Sequence, residues 1–142
     1  MVRAEIVQRK LAELDARVAR VRAHRRASPD ELASDRDALD LVAFNLMLAV
    51  QAACDIAAHV IADEGWTAPA TVAECFHLLA EHQVITPATA TALRRAVGFR
   101  NVVEHGYAGI DVRATYAAST AGLDDLDRFA REIATWLVGR SG

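Results

Sequence analysis

The stretch from Leu41 to Ala62 limits the possible folds more than any other part of the chain. It is nearly continuous in apolar residues and long enough for a bilayer-spanning helix, yet it holds Asn45, Gln51, Asp55 and His59. Hydrocarbon offers such groups no hydrogen-bond partners, so a lipid-facing helix does not carry four of them without special arrangements. The other solution is a helix at the centre of a protein, wrapped by further helices. The composition supplies those helices. Ala accounts for 30 of 142 residues, against only 7 Gly and 3 Pro. Ala loses no side-chain entropy on entering a helix, and so few turn residues leave little punctuation for an all-β chain. The expected fold is all-α: an antiparallel bundle of about five helices forming one domain over residues 1–142.

Helix boundaries can be read locally. A first helix spans about Val2 to Arg26, with Leu11, Leu14, Val18 and Val21 three and four apart on one face. That face is a seam for a partner helix. Ser28-Pro29-Asp30-Glu31 combines a capping serine, a proline suited to the first helical position and a glutamate that completes a capping box. It opens a helix expected to run to Asp63, with a kink in its acidic first part, and to stop at Gly65. Thr71 to Glu74 is a second capping box, opening a short helix with Val72, Cys75, Phe76 and Leu79 inward. Thr86-Pro87 opens a fourth helix, which carries Leu93, Val97, Val102 and Val103 and ends near Gly106. The fifth is expected from about Asp111 to Gly139. Its apolar face comprises Val112, Tyr116, Leu123, Leu126, Phe129, Ile133, Trp136 and Leu137, and Gly122 inside it suggests a close helix contact.

The net charge of −3 excludes a general polyanion binder, so any nucleic-acid contact must use a local patch. Charge is unevenly distributed. Residues 1–27 hold seven Arg and Lys10 against Glu5, Glu13 and Asp15, a net of +5. Residues 28–64 hold eight carboxylates against Arg36 alone, a net of −7, so the acidic start of the second helix is expected beside the basic end of the first. Cys54 and Cys75 have no metal-type spacing and read as reduced core residues. The leading residues MVRAEIVQRK contain no apolar segment of a secretory signal. A cytoplasmic location without membrane association follows as an expectation.

Chemistry concentrates in Arg100-Asn101-Val102-Val103-Glu104-His105-Gly106-Tyr107. Asn101 and His105 are four apart and stack on one helix face; Arg100 and Glu104 stack on the next. An imidazole titrates near neutrality, so His105 can take a proton from a ribose 2′-hydroxyl or give one to a leaving oxygen. The Arg100 guanidinium can hold a phosphate bidentately and stabilise developing charge. Asn101 can orient either group. Such a set can cleave a phosphodiester without a metal or cofactor. By spacing alone, however, an Arg and a His at a helix end are more often a capping cation and a surface histidine. Gln51, Asp55 and His59 recur every four residues as one polar stripe on the central helix. The stripe reads as a hydrogen-bonded network within the bundle; if it lines a cleft instead, His59 is a second acid–base candidate.

The octet resembles the R-N-x-x-x-H-x-Y motif of the HEPN superfamily, and most closely its HepT-like toxin branch. The resemblance extends from Leu41 to Asp111, through Gln51, Asp55, Ile56 and His59 to His105-Gly106-Tyr107-Ala108-Gly109-Ile110-Asp111. It implies a helical homodimer in which two copies of the Arg and His share one cleft. It also implies a metal-independent endoribonuclease toxin of a type VII-like HEPN/MNT toxin–antitoxin pair. Arg100 would bind the scissile phosphate, His105 would be the general acid–base group, and Asn101 would support them. Gln51, Asp55, His59 and Glu104 are candidates for residues behind these. Arg94 and Arg95 are candidate RNA contacts, with salt bridges to neighbouring carboxylates as the other reading. The substrate would be RNA, a transfer RNA for some relatives. The implied partner is an MNT-type nucleotidyltransferase antitoxin on a separate chain, which transfers AMP to the motif tyrosine, here Tyr107. An adenylate beside Arg100 would fill the phosphate position and repel substrate. Gly106 departs from the pattern, since a side chain is frequent there. Two other readings stay open: a non-catalytic module that binds a nucleotide or partner, and a dimerisation scaffold.

Overall fold

The structure is a computed structural model in which residues 3–106 and 109–141 are described. Among these, seven helices are present: α1 (Ala4–His24), α2 (Pro29–Ser34), α3 (Arg36–Glu64), α4 (Val72–Glu81), α5 (Pro87–His105), α6 (Val112–Ser119) and α7 (Ala121–Ser141). The all-α class is as expected. Two of the five expected helices are each broken in two.

The first break lies at Asp35, whose backbone leaves the helical region (φ −123°, ψ 89°). Its carboxylate accepts from the backbone N–H of Ala38 at 3.1 Å and from Arg26 Nη2 at 2.8 Å. A short acidic side chain that caps the next helix competes with helix continuation. The Arg26 contact also joins the basic end of α1 to the acidic segment. The second break lies at Thr120 (φ −113°, ψ −92°). Its hydroxyl donates to the carbonyls of Tyr116 and Ala117, and the Ser119 hydroxyl donates to Tyr116 as well. Adjacent hydroxyls thus take carbonyls that a continuing helix would use. Gly122 falls in the first turn of α7, and a Cβ there would meet Ala118 Cβ at an ordinary 3.5 Å. No close helix approach requires it.

The local start signals act as their chemistry dictates. Ser28, Thr71 and Thr86 each accept from the backbone N–H three residues on. The long α3 lies at the centre and touches every other helix. It is long enough to cross a membrane and holds an 18-residue stretch of mean hydropathy 1.8, but 61% of that stretch is buried in the bundle. Its most extensive partner is α1, which runs antiparallel to it. Val7, Leu14, Val18 and Val21 form the buried seam, so the apolar face of α1 is spent inside the molecule. Polar contacts set the register beside it: Arg3 with Asp63, Lys10 with Asp55, and Arg17 with Asn45. Phe76 of α4 and Phe129 of α7 meet edge to face, 5.7 Å apart, on the other side of α3. A second, smaller core gathers Leu32, Ala38 and Leu39 with Ile110, Val112 and Tyr116.

The helix that carries the motif is pinned at its start by α7. Glu132 accepts from the Thr86 backbone N–H at 2.6 Å and from the Thr89 hydroxyl at 2.7 Å, and Arg128 Nε donates to that hydroxyl at 2.8 Å. Thr89 is fully buried, so these bonds offset the desolvation of its hydroxyl.

Phe129→Ala is expected to destabilise the fold by about 3–5 kcal/mol, the cost of removing a fully buried aromatic ring, read as a lower urea midpoint. The acid limb of stability has identifiable sources. The Ala38 N–H, then Arg26, holds Asp35 below its ordinary value of 3.8; the Arg3 N–H, then His59, does so for Asp63. A depressed carboxylate stabilises the fold above its unfolded value and loses that contribution as pH falls through the folded one. Urea midpoints should therefore drop as pH is lowered beneath 3.8, and less steeply in Asp35→Asn/Asp63→Asn.

Candidate functional site

The octet closes α5. Gly106 takes the left-handed conformation (φ 64°) that ends a helix, and its N–H returns to the Val102 carbonyl. The turn leaves His105 exposed on the last helical residue. Arg100, one turn earlier, points inward toward α3, and its side chain is only 12% exposed. Four neighbours surround it. Nη1 donates to Gln51 Oε1 at 2.9 Å. Nε and Nη2 both reach Asn101 Oδ1, at 3.2 and 2.7 Å. Glu104 Oε2 stands off at 4.0 Å on a half-exposed side chain. Cys54 Sγ lies 3.7 Å from Nη1.

This arrangement has a chemical meaning. The Nε–Nη2 edge is the fork with which a guanidinium grips a carboxylate or phosphate. Here one amide oxygen, that of Asn101, bridges that edge in the position of an anionic oxygen. The partner on the inner edge, Gln51, is neutral, and the nearest carboxylate is at the limit of ion-pair distance. The guanidinium's positive charge is therefore countered only by the half-exposed Glu104 at 4.0 Å among the described ion pairs.

The expected stripe divides into two parts. Gln51 meets Arg100, and its Nε2 donates to Asp55 Oδ1 at 3.0 Å. Asp55 Oδ2 in turn lies 3.5 Å from Lys10 Nζ. His59 belongs elsewhere: its Nε2 is 2.9 Å from Asp63 Oδ2, roughly 12 Å along α3 from Gln51. The structure does not bring His59 to the motif. The two candidate RNA contacts also separate. Arg94 is seven residues before Asn101 and eleven before His105, so it continues their exposed face, with the bare Gly98 between. It borders a cleft with Glu74, His77 and Glu81 of α4. Arg95 turns toward α7 instead, at the rim of an apolar cleft that also contains Asp125. Neither forms an ion pair among the described residues. Tyr107 lies outside the described residues.

Sequence reasoning missed several features. Cys54 lies against Arg100, and Lys10 reaches the stripe from α1; neither has a local signal, because both depend on which helices pack together. An apolar groove of about 460 Å³ runs beside the end of α5, lined by Phe99, Val102, Val103 and Ile110. Phe44 is 52% exposed and lies with Met47 and Leu48 on the face of α3 that continues into Gln51. Among the described residues no group of three or more His, Cys, Asp or Glu converges as a metal site would require.

A central α3 met by the inward Arg100 of α5, first residue of the R-N-x-x-x-H octet, belongs to an all-α bundle of the HEPN class. Within that class, the chain belongs to the ribonuclease HepT-like family, whose model matches residues 5–133. It is 29% identical over 90 residues to the mRNA nuclease HepT of Shewanella oneidensis, covering 63% of this chain and 68% of that one. It is 30% identical over 93 residues to the tRNA nuclease HepT of Aphanizomenon flos-aquae, covering 66% and 63%. The tri-AMPylated HEPN toxin of Shewanella oneidensis, solved in complex with an MNT antitoxin, matches with a TM-score of 0.83 at 25% identity, over 92% of this chain and 97% of that one.

Burial pushes the Cys54 thiol up to about 11, so it stays protonated and unreactive at neutral pH. A thiol reagent is expected to label half-buried Cys75 in the folded protein and Cys54 only on unfolding, as read by mass spectrometry of the labelled peptides.

Proposed function

We propose that this chain is a metal-independent endoribonuclease toxin of the HEPN/MNT type, with residues 1–142 as a single cytoplasmic domain. The observation that carries the reading is the inward Arg100, fixed from three sides one turn before the exposed His105. A scissile phosphate would replace the Asn101 oxygen on the Nε–Nη2 edge, and Asn101 would turn its amide toward the incoming oxygens. His105 would take the proton of the ribose 2′-hydroxyl, whose oxygen then attacks the adjacent phosphorus. The products are a 2′,3′-cyclic phosphate and a 5′-hydroxyl, the latter protonated by a second acid. Arg100 would stabilise the extra negative charge of the transition state. Arg94 extends the cationic track along the same face, and Arg95 would contact RNA that follows the adjoining cleft.

A homodimer supplies the second acid from the partner copy. The exposed Phe44, with half-buried Met47 and Leu48 beside it, borders Gln51 and Arg100, so burying this face between two copies would bring two Arg–His pairs together. The relatives named as mRNA and tRNA nucleases support RNA as substrate. The tri-AMPylated toxin bound to its MNT antitoxin supports neutralisation by AMP transfer from a separate nucleotidyltransferase, with Tyr107 as the acceptor here.

The test is cleavage of total cellular RNA by purified protein in EDTA, with intact mass showing whether an adenylate is attached. Unmodified wild type is expected to cleave, and His105→Ala to lose at least about 100-fold in rate. Absence of cleavage by folded, unmodified dimer would overturn the enzyme in favour of a non-catalytic nucleotide-binding module.

A further inference from the structure

Resting on that reading, we propose that Gln51 is the positioning residue for Arg100, and that its neutrality is as important as its hydrogen bond. The orientation of its amide is set by its neighbours. Nε2 donates to Asp55 Oδ1 at 3.0 Å, and a carboxylate can only accept there, so Oε1 must face Arg100. Asp55 is itself held by Lys10 of α1 at 3.5 Å, and Lys10 also reaches Glu13 at 3.6 Å. The chain of contacts therefore runs from α1 through α3 to the guanidinium on α5.

An arginine this buried would ordinarily be met by a carboxylate, which would satisfy its donors and cancel its charge. Gln51 satisfies an Nη1 donor at 2.9 Å without cancelling anything. The carboxylate in the network, Asp55, stands one residue further back and is paired with Lys10. Geometry is thus fixed on the inner edge of the guanidinium, and the Nε–Nη2 edge is left to Asn101 and the half-exposed Glu104, 4.0 Å away, which an incoming phosphate would displace.

Two substitutions separate position from charge. Gln51→Met keeps the length and removes the acceptor. Gln51→Glu keeps shape and acceptor and adds a negative charge; because it also loses the donor to Asp55, Gln51→Glu/Asp55→Asn is run beside it to put a donor back opposite the new carboxylate. Both are checked for unchanged helicity and urea midpoint near neutral pH. Gln51→Met is expected to lower kcat on RNA by about tenfold, the scale for losing a group that orients a site residue. Gln51→Glu should be worse, about 100-fold, because it quenches the cation that stabilises the transition state. KM should change much less than kcat in both. A glutamate variant as active as wild type, or less impaired than the methionine variant, would overturn the proposal.

A second readout needs no turnover. Arg100 guanidinium ¹⁵N–¹H signals, assigned with Arg100→Lys, should be resolved by slow rotation in wild type and averaged in Gln51→Met. Identical Arg100 signals in the two proteins would equally overturn the positioning role. If wild type shows no cleavage, the enzymatic reading fails alone, and these signals still decide the role of Gln51.

Discussion

The seam between α1 and α3 is the contact on which the remaining packing depends. Val7, Leu14, Val18 and Val21 disappear into it almost completely, each burial contributing on the order of 1.5–3 kcal/mol. The partly exposed polar pairs beside it contribute far less individually, about 0–1 kcal/mol. Apolar burial therefore decides that the two helices associate, and the pairs decide how they slide. Arg3 with Asp63, Lys10 with Asp55 and Arg17 with Asn45 all agree on one antiparallel register. A shift by one turn would break all three at once.

That register has consequences for the site. Once α3 is set against α1, its other side becomes the platform on which α4, α5, α6 and α7 assemble. The motif helix is held near both ends: by Glu132 of α7 around Thr86, and by Gln51 of α3 around Arg100. A rigid support of this kind is what precise charge placement requires. The same central helix thus contributes the core through one face and the partner of the site arginine through another. The polar residues that excluded a lipid-facing helix are the ones with these structural tasks. Asn45 receives Arg17, Gln51 holds Arg100, Asp55 receives Lys10, and His59 meets Asp63.

Legibility in the sequence followed the range of the interaction. Helix starts at Ser28, Thr71 and Thr86 were readable because a cap joins residues three apart. The break at Thr120 was not, and the one at Asp35 showed only as a kink in the acidic stretch. Each is a side-chain-to-backbone competition whose outcome depends on packing, Arg26 on one side and the α6–α7 turn on the other. At the candidate site, helical spacing correctly separated the Asn101–His105 face from that of Arg100. It could not say that Arg100 faces inward. Nor could it show that Arg94 borders α4 while Arg95 looks toward α7, or that His59 pairs at the far end of α3.

By itself the sequence determined the class of fold, most helix starts, the location of the chemistry-bearing octet and the family to which the chain belongs. These rest on periodicity, capping and residue order, which are properties of neighbours along the chain. Only the tertiary structure decided which polar residues are partners: Gln51 with Arg100, Asp55 with Lys10, Glu132 with Thr86. Those residues are tens of positions apart, and many pairings would satisfy the same donors and acceptors. The choice among them is made by apolar packing, which brings some faces together and excludes the rest.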